Sequence, residues 1–189
     1  MKCSVSAIAL GCFRAGIVFC LFVSFAPSAT GSDTSERWAY LNGGYHLLYQ
    51  VCDDESNVSM IFLVKDAPVK IEVYAKHVSK TADESLVILE HMQDREPQLK
   101  FDRNPLPAVE RDVRASIRSD KEDQLVFDTS GPDFVRAFLV SQIEASSYAS
   151  NLAKVLEDRE TDPRRIQALR EVSAKWKAIR QDSFRLLRD

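Results

Sequence analysis

Lys65-Asp66-Ala67-Pro68-Val69-Lys70 is the stretch on which the fold turns. Asp66 is a good helix N-cap, and Pro68 falls in a first turn, where its missing N–H does no harm. Before this stretch, Leu41, Tyr45, Leu48, Cys52, Glu55, Ser59 and Phe62 recur at spacings of four and three. After it, Ile71, Ala75, Val78, Ala82, Leu86 and Leu89 line one face in the same way. Such spacing is the seam of a helix packed along its whole length. Asp33-Thr34-Ser35-Glu36 reads as a capping box that opens the first helix. The pair is therefore expected as a helical hairpin, with helices over about 33–65 and 67–94.

A strand reading competes over the first half. Asn42-Gly43 is a hairpin signal, and Tyr45, Leu47, Tyr49 and Val51 alternate. The helix is preferred because the seam runs on through Asp53-Asp54-Glu55-Ser56, where a strand meander would need a turn. Each glycine of Gly43-Gly44 costs a helix roughly 1 kcal/mol, so a break or kink is expected there.

The arrangement repeats near the C-terminus. Ser130-Gly131-Pro132-Asp133 reads as a helix opening, followed by the seam Phe134, Phe138, Ser141, Ala145, Tyr148, Leu152 and Val155. Asp162-Pro163 opens the last helix, with Ile166, Leu169, Val172, Trp176, Ile179, Ser183 and Leu186 inward. These helices are expected over 131–158 and 162–188, each on the order of 40 Å long at the α-helical rise. Residues 95–130 form a long polar connection with a short helix from Ala108 and an apolar tether at Leu125-Val126-Phe127. A link of that length suits a crossover between parallel helices. The expected fold class is all-α: an antiparallel four-helix bundle with one long crossover connection.

Residues 1–31 read as a secretory signal peptide. Lys2 supplies the positive start, residues 15–27 the apolar segment and Ala29-Thr30-Gly31 the small-residue cleavage site. The apolar run is short for a membrane span, and Phe19 is too large to precede a lipidated Cys20. The expected location is periplasmic or secreted, with no stable membrane insertion, and residues 32–189 form the domain. The formal charge of -3 becomes more negative once Lys2 and Arg14 leave, which argues against nucleic-acid partners. Of the four cysteines only Cys52 lies beyond residue 31, so no internal disulfide is expected, and Cys52 reads as a small core residue.

The chain has no Gly-rich phosphate loop, no paired-cysteine motif and no nucleophile elbow. The local anomaly is Glu55, a carboxylate on an apolar seam. It needs a partner, a metal or water. Helical di-metal centres use inward glutamates and Glu-x-x-His pairs. Here Glu90-His91 is adjacent, and the heptad stripe Lys70, His77, Glu84 and His91 flanks the seam as a solvated face.

Residues 55–89 and 127–187 resemble a secreted bacterial ferritin-like family of four-helix domains of unsettled function. The similarity lies in Glu55 through Leu63, in Lys65-Asp66-Ala67-Pro68-Val69-Lys70-Ile71-Glu72-Val73-Tyr74-Ala75, in Asp133-Phe134-Val135-Arg136-Ala137-Phe138 with Gln142-Ile143, and in Asp162-Pro163 to Leu187. The resemblance implies a ferritin-like bundle. It also implies an acidic residue in the first helix, an Asp-His pair in the second and a histidine in each of the last two. Glu55 fits the first position and Asp182 lies near the last. Thr81-Ala82 and Ser146 stand at the others, and none of these is a useful transition-metal ligand.

The expectation is an exported bundle acting by binding, as an envelope-associated accessory or stress-related module, with no cofactor and no catalytic residue. The alternative is a metal-binding oxidoreductase or storage protein, with iron or manganese at a degenerate centre of Glu55 and Asp182. A third reading is a structural bundle that pairs with another protein or with itself. Glu55 and Asp182 facing one cavity would favour the metal; an exposed apolar stripe would favour the partner.

Overall fold

The computed structural model describes residues 30–102 and 104–189, with side chains from Thr34 onward. The leader assigned to 1–31 lies outside the described residues apart from its last two. In chain order the elements are α1 (Thr30–Ser56), a 3₁₀ turn (Val58–Leu63), α2 (Val69–Arg95), α3 (Ala108–Asp123), a π turn (Gln124–Asp128), α4 (Gly131–Arg159) and α5 (Pro163–Arg188). The described residues contain no strand. The chain is all-α.

α1 departs from the expected helix at three places. It is already under way at Thr30, ahead of the capping box. It runs unbroken through Gly43-Gly44, because tertiary contacts require the bare backbone. A Cβ on Gly43 would come within 2.7 Å of Pro105 Cβ, and one on Gly44 within 2.5 Å of Leu156 Cδ2. Beside them, Asn42 clamps the connection, donating to Gln98 O (3.1 Å) and accepting from Lys100 N (3.0 Å). Finally, α1 stops at Ser56 rather than reaching residue 65. Ser56 Oγ donates to Asp53 O (2.7 Å) and Asn57 Nδ2 donates to Ser56 Oγ (3.0 Å), side-chain bonds that compete with the helical ladder. The chain continues as the 3₁₀ turn, in which no residue is fully buried.

α2 begins at Val69, with Pro68 at its N-cap and no side-chain cap, so Asp66 does not play that part. At α5, Asp162 does cap: its carboxylate accepts from Arg164 N (2.8 Å) and Arg165 N (3.0 Å). Leu169, Val172, Trp176, Ile179 and Ser183 face inward from α5. In α4 the inward face is Phe134, Phe138, Leu139, Gln142, Ser146, Ala149, Ser150, Ala153 and Leu156. The expected seam holds as far as Phe138 and then lies one residue short. Phe138 and Leu139 are both buried, which advances the inward face from Ser141 to Gln142. Val155 is 44% exposed.

Contacts fix the directions of the helices. Asn42 of α1 meets the chain just past the end of α2, whereas Ser59, just past the end of α1, donates its N–H to Ser79 Oγ (3.2 Å) early in α2. Tyr74 early in α2 pairs with Ser183 late in α5, and Arg165 early in α5 reaches Glu96 after α2 (3.2 Å). Thus α2 is antiparallel to α1 and to α5, and parallel to α4. The connection between them carries the chain back. Its start is pinned by buried Leu99 and by Phe101, which stacks on Tyr45 at 5.8 Å. Its end is held by Leu125, which packs on the core, but Phe127 is 77% exposed and tethers nothing. At the opposite end of the core from Tyr45, Phe62 meets Phe134 and Phe138 edge-on at 5.8 and 5.3 Å, a favoured aromatic geometry.

A buried ionic latch joins the helix ends at the α4–α5 turn. The Glu160 side chain has no solvent access. Its carboxylate accepts from Arg165 Nε (2.8 Å) and Nη2 (3.0 Å), Arg37 Nη2 (3.2 Å), Tyr45 Oη (3.1 Å), and the backbone N–H groups of Thr161 (2.7 Å) and Asp162 (3.2 Å). Burial works against the charge, but the Arg165 bonds, the two backbone N–H groups and the Arg165 charge outweigh it. The carboxyl is held down at about 2. The Trp38 ring lies beside both cations, 5.7 Å from Arg37 Cζ and 5.8 Å from Arg165 Cζ.

Candidate functional site

The inward faces of α2, α4 and α5 carry several polar side chains. Thr81, Ser85, Gln142, Ser146, Ser150, Ser173 and Ser183 are all buried. Their hydroxyls are mostly satisfied locally. Ser85 Oγ donates to Thr81 O (2.7 Å), Ser146 Oγ to Gln142 O (2.5 Å) and Ser183 Oγ to Ile179 O (2.9 Å). Ser173 Oγ instead crosses from α5 to Ser150 O of α4 (3.0 Å). A helical carbonyl four residues back is the standard partner of a buried serine, so these groups ask for no ligand. Cys52 is buried among them. Burial pushes its thiol up to about 12 against the pull of Trp176 and Ser85, so it stays a neutral core residue.

Glu55 is different. It lies in the last turn of α1, opposite Gln142 of α4. Glu55 Oε2 and Gln142 Oε1 are both shut off from solvent and meet no donor in full hydrogen-bond geometry, although the Gln142 amide stands close enough to act on the Glu55 carboxyl. Burial raises the Glu55 carboxyl to about 7; the Gln142 amide and Lys121 pull it down, and Asp54 pushes it up. The Tyr74 phenol is raised by burial, with smaller contributions from the charges of Glu55 and Asp182.

Above Glu55 runs a groove of about 420 Å³ between α1, α3 and α4. Val51, Val58, Ile117, Leu125 and Ala145 supply apolar walls, and Glu55 and Gln142 line the inner side. A second groove of about 460 Å³ continues past Arg111 and Leu106 and shares Asp54, Arg114 and Tyr148. α3 is the roof. No residue of α3 is fully buried. It is held by polar contacts: Arg118 to Asp54 (2.6 Å), Arg114 to Tyr148 Oη (3.1 Å), and Lys121 to Glu144.

Asp182 lies late in α5, and its charge, like that of Glu55, acts on the Tyr74 phenol. It is engaged by Arg185 Nη2 (2.8 Å) on its own helix. Thr81, Ala82 and Ser146 face the interior but offer no carboxylate or imidazole there. Among the described residues, no three His, Cys, Asp or Glu side chains converge. A tight transition-metal site wants three or more such donors. Glu55 and Asp182 by themselves fall short of that donor count.

The reading of the sequence singled out Glu55 but missed Gln142, Arg114, Arg118 and Lys121. Gln142 was hidden by the slipped α4 register. The basic stripe Arg111, Arg114, Arg118 and Lys121 at helical spacing was a visible signal that α3 lies polar-side down on something charged.

The raised carboxyl makes a stability prediction. Between the ordinary value near 4.5 and about 7 the native state holds a proton that the unfolded chain has lost. Stability therefore falls as pH rises through that window, by roughly 3 kcal/mol when complete. Glu55→Gln removes the term. The variant is expected to match the parent in urea melts near pH 4 and to exceed it by up to about 3 kcal/mol near pH 8. A variant weaker than the parent at alkaline pH would mean that the ionised carboxylate has a stabilising partner.

Among the described residues, no helix is long and apolar enough to cross a membrane. Comparison of the chain with protein-family models, curated proteins and solved structures finds no match.

Proposed function

We propose that this chain is a non-catalytic binding module: an exported, ferritin-like antiparallel four-helix bundle with one long crossover, acting as an envelope accessory or stress-related protein. The observation that carries the binding reading is the groove beside Glu55, with apolar walls and a few polar groups, roofed by a helix of which no residue is fully buried. The ferritin-like reading draws support from the parallel α2 and α4 with the connection running between them. The alternative, an iron or manganese centre at Glu55 and Asp182, finds no donor set to support it.

Metal content decides between the two. The protein purified without chelator is expected to hold no stoichiometric iron, manganese or zinc, and Glu55→Gln is expected to leave its melting temperature unchanged or higher. One metal ion per chain in the parent, lost together with thermal stability on substitution, would establish the metal reading instead.

A partner-binding reading rests on a separate observation. Met60, Leu63, Val64, Val69 and Val73 cluster in sequence around the α1–α2 connection and are each more than half exposed. Exposed apolar side chains grouped in this way favour contact with a protein partner or a second copy.

A further inference from the structure

We infer that the outward face of α3 docks a basic amphipathic segment of a partner polypeptide, with apolar side chains on Val109 and Val113 and lysines or arginines against Asp112, Asp120 and Asp123. This goes beyond the groove reading, because the surface is the face of α3 turned away from the groove.

Three observations lead there. First, α3 sits inside out. An amphipathic helix on a bundle normally turns its apolar stripe to the core. Here Arg111, Arg114, Arg118 and Glu122 line the groove beneath α3, and Val109 and Val113 do not. Val109 is 70% exposed and Val113 48%, with Ile117 at the groove's edge. Exposed apolar side chains rimmed by polar ones mark interaction sites. Second, the cations of α3 are engaged within the molecule. Arg118 binds Asp54 (2.6 Å), Lys121 binds Glu144, Arg114 binds Glu110 (2.8 Å) and Tyr148 (3.1 Å), and Arg111 donates to Leu106 O (3.0 Å). Third, Asp112, Asp120 and Asp123 are exposed, and none of their carboxylates pairs with a cation among the described residues. Val109, Asp112, Ser116, Asp120 and Asp123 follow one another at three- and four-residue steps, and Val113 lies four beyond Val109, so all share one face. That face carries apolar and anionic groups and no cation.

The charge pattern selects the occupant. A two-fold pairing of two copies would set the face against itself, aspartate on aspartate. Helices that lie on lipid carry Lys or Arg beside the apolar stripe, the reverse of what α3 shows. A polypeptide with lysine or arginine flanking apolar residues complements both features.

The test is a titration of the isotope-labelled protein with an amphipathic helical peptide of leucine and lysine, and with its leucine–glutamate counterpart, followed by amide nuclear magnetic resonance. The lysine peptide is expected to shift the amides of Asp112, Val113 and Ser116 and to bind more weakly as salt is raised; the glutamate peptide is expected to leave them in place. Asp112→Asn, Asp120→Asn and Asp123→Asn combined are expected to weaken the lysine peptide about tenfold, the sum of three exposed ion pairs. Val109→Asn with Val113→Asn is expected to weaken it as well. Both valines are exposed, so an unchanged melting temperature checks that the fold is intact. Equal binding of the two peptides, lysine-peptide binding unchanged in both variants, or no shift on α3 would overturn the proposal and leave the groove reading standing. Self-association of the free protein that the valine variant abolishes would assign the face to a second copy instead. Binding to phosphatidylglycerol vesicles that the same variant abolishes would assign it to lipid, and either result overturns the polypeptide assignment.

Discussion

Replacing Arg165 with alanine is expected to lower the unfolding free energy by about 3–5 kcal/mol, the cost of stripping the partner from a buried charge. Arg165 makes two of the bonds to Glu160, whose side chain has no access to water. Arg37, Tyr45 and the backbone N–H groups remain, but the paired guanidinium geometry is lost. Acid should reveal the mechanism. In the parent, Glu160 is held at about 2, below the ordinary carboxyl value. Its contribution is present above about pH 4.5 and is lost as pH falls toward 2. In Arg165→Ala the carboxyl should rise instead, because burial then meets less opposition. The deficit of the variant is therefore expected to be largest near neutrality and to shrink in acid. Urea melts across that range measure it. A deficit independent of pH would mean that Arg165 acts through packing on Trp38 rather than through Glu160.

Trp176→Ala is expected to cost a similar amount, about 3–5 kcal/mol, for removal of a large ring from a closed core. Trp176 is wholly buried on α5. Its Nε1–H lies toward the Cys52 thiol yet has no hydrogen bond of full geometry. The stabilisation is therefore assigned to the volume of the ring rather than to its polar group, and Trp176→Phe is expected to cost less than the alanine variant. Thermal unfolding reads both. An unchanged midpoint in Trp176→Ala would show that the ring is not enclosed. Against a typical domain stability of about 5–15 kcal/mol, either this variant or Arg165→Ala removes a substantial share.

How legible these features were in the sequence depends on the reach of the contacts that make them. α5 could be read directly, because an aspartate cap, a first-turn proline and an apolar stripe all act within a few residues. α4 could be read only as far as Phe138. Beyond it the inward face alternates Gln142, Ser146 and Ser150 with Leu139, Ala149, Ala153 and Leu156, and small and polar residues there mask the apolar period. The end of α1 escaped because Ser56 and Asn57 terminate it by side-chain bonds, while the spacing of Ser59 and Phe62 happens to continue the pattern. Glu55 was conspicuous as a carboxylate on a seam, but its neighbour Gln142 lies in another helix. The Glu160 latch is only partly local: Arg165, Thr161 and Asp162 lie within five residues, but Tyr45 and Arg37 do not. Arg37 stands 123 residues away in sequence, and only the fold brings it within 3.2 Å.

Gly43 and Gly44 bear on how this protein tolerates change. They are among the weakest helix formers, placed in the middle of the helix that also supplies Tyr45, Cys52 and Glu55. Taken alone, that segment would gain from alanine at both positions, by roughly 1 kcal/mol each. In the folded chain the same substitutions drive a methyl group into Pro105 and Leu156. Local preference and tertiary fit conflict at this point, a small frustration kept in an otherwise consistent sequence. Substitutions chosen for helix propensity would therefore mislead here, and variation in Pro105 or Leu156 is coupled to the two glycines.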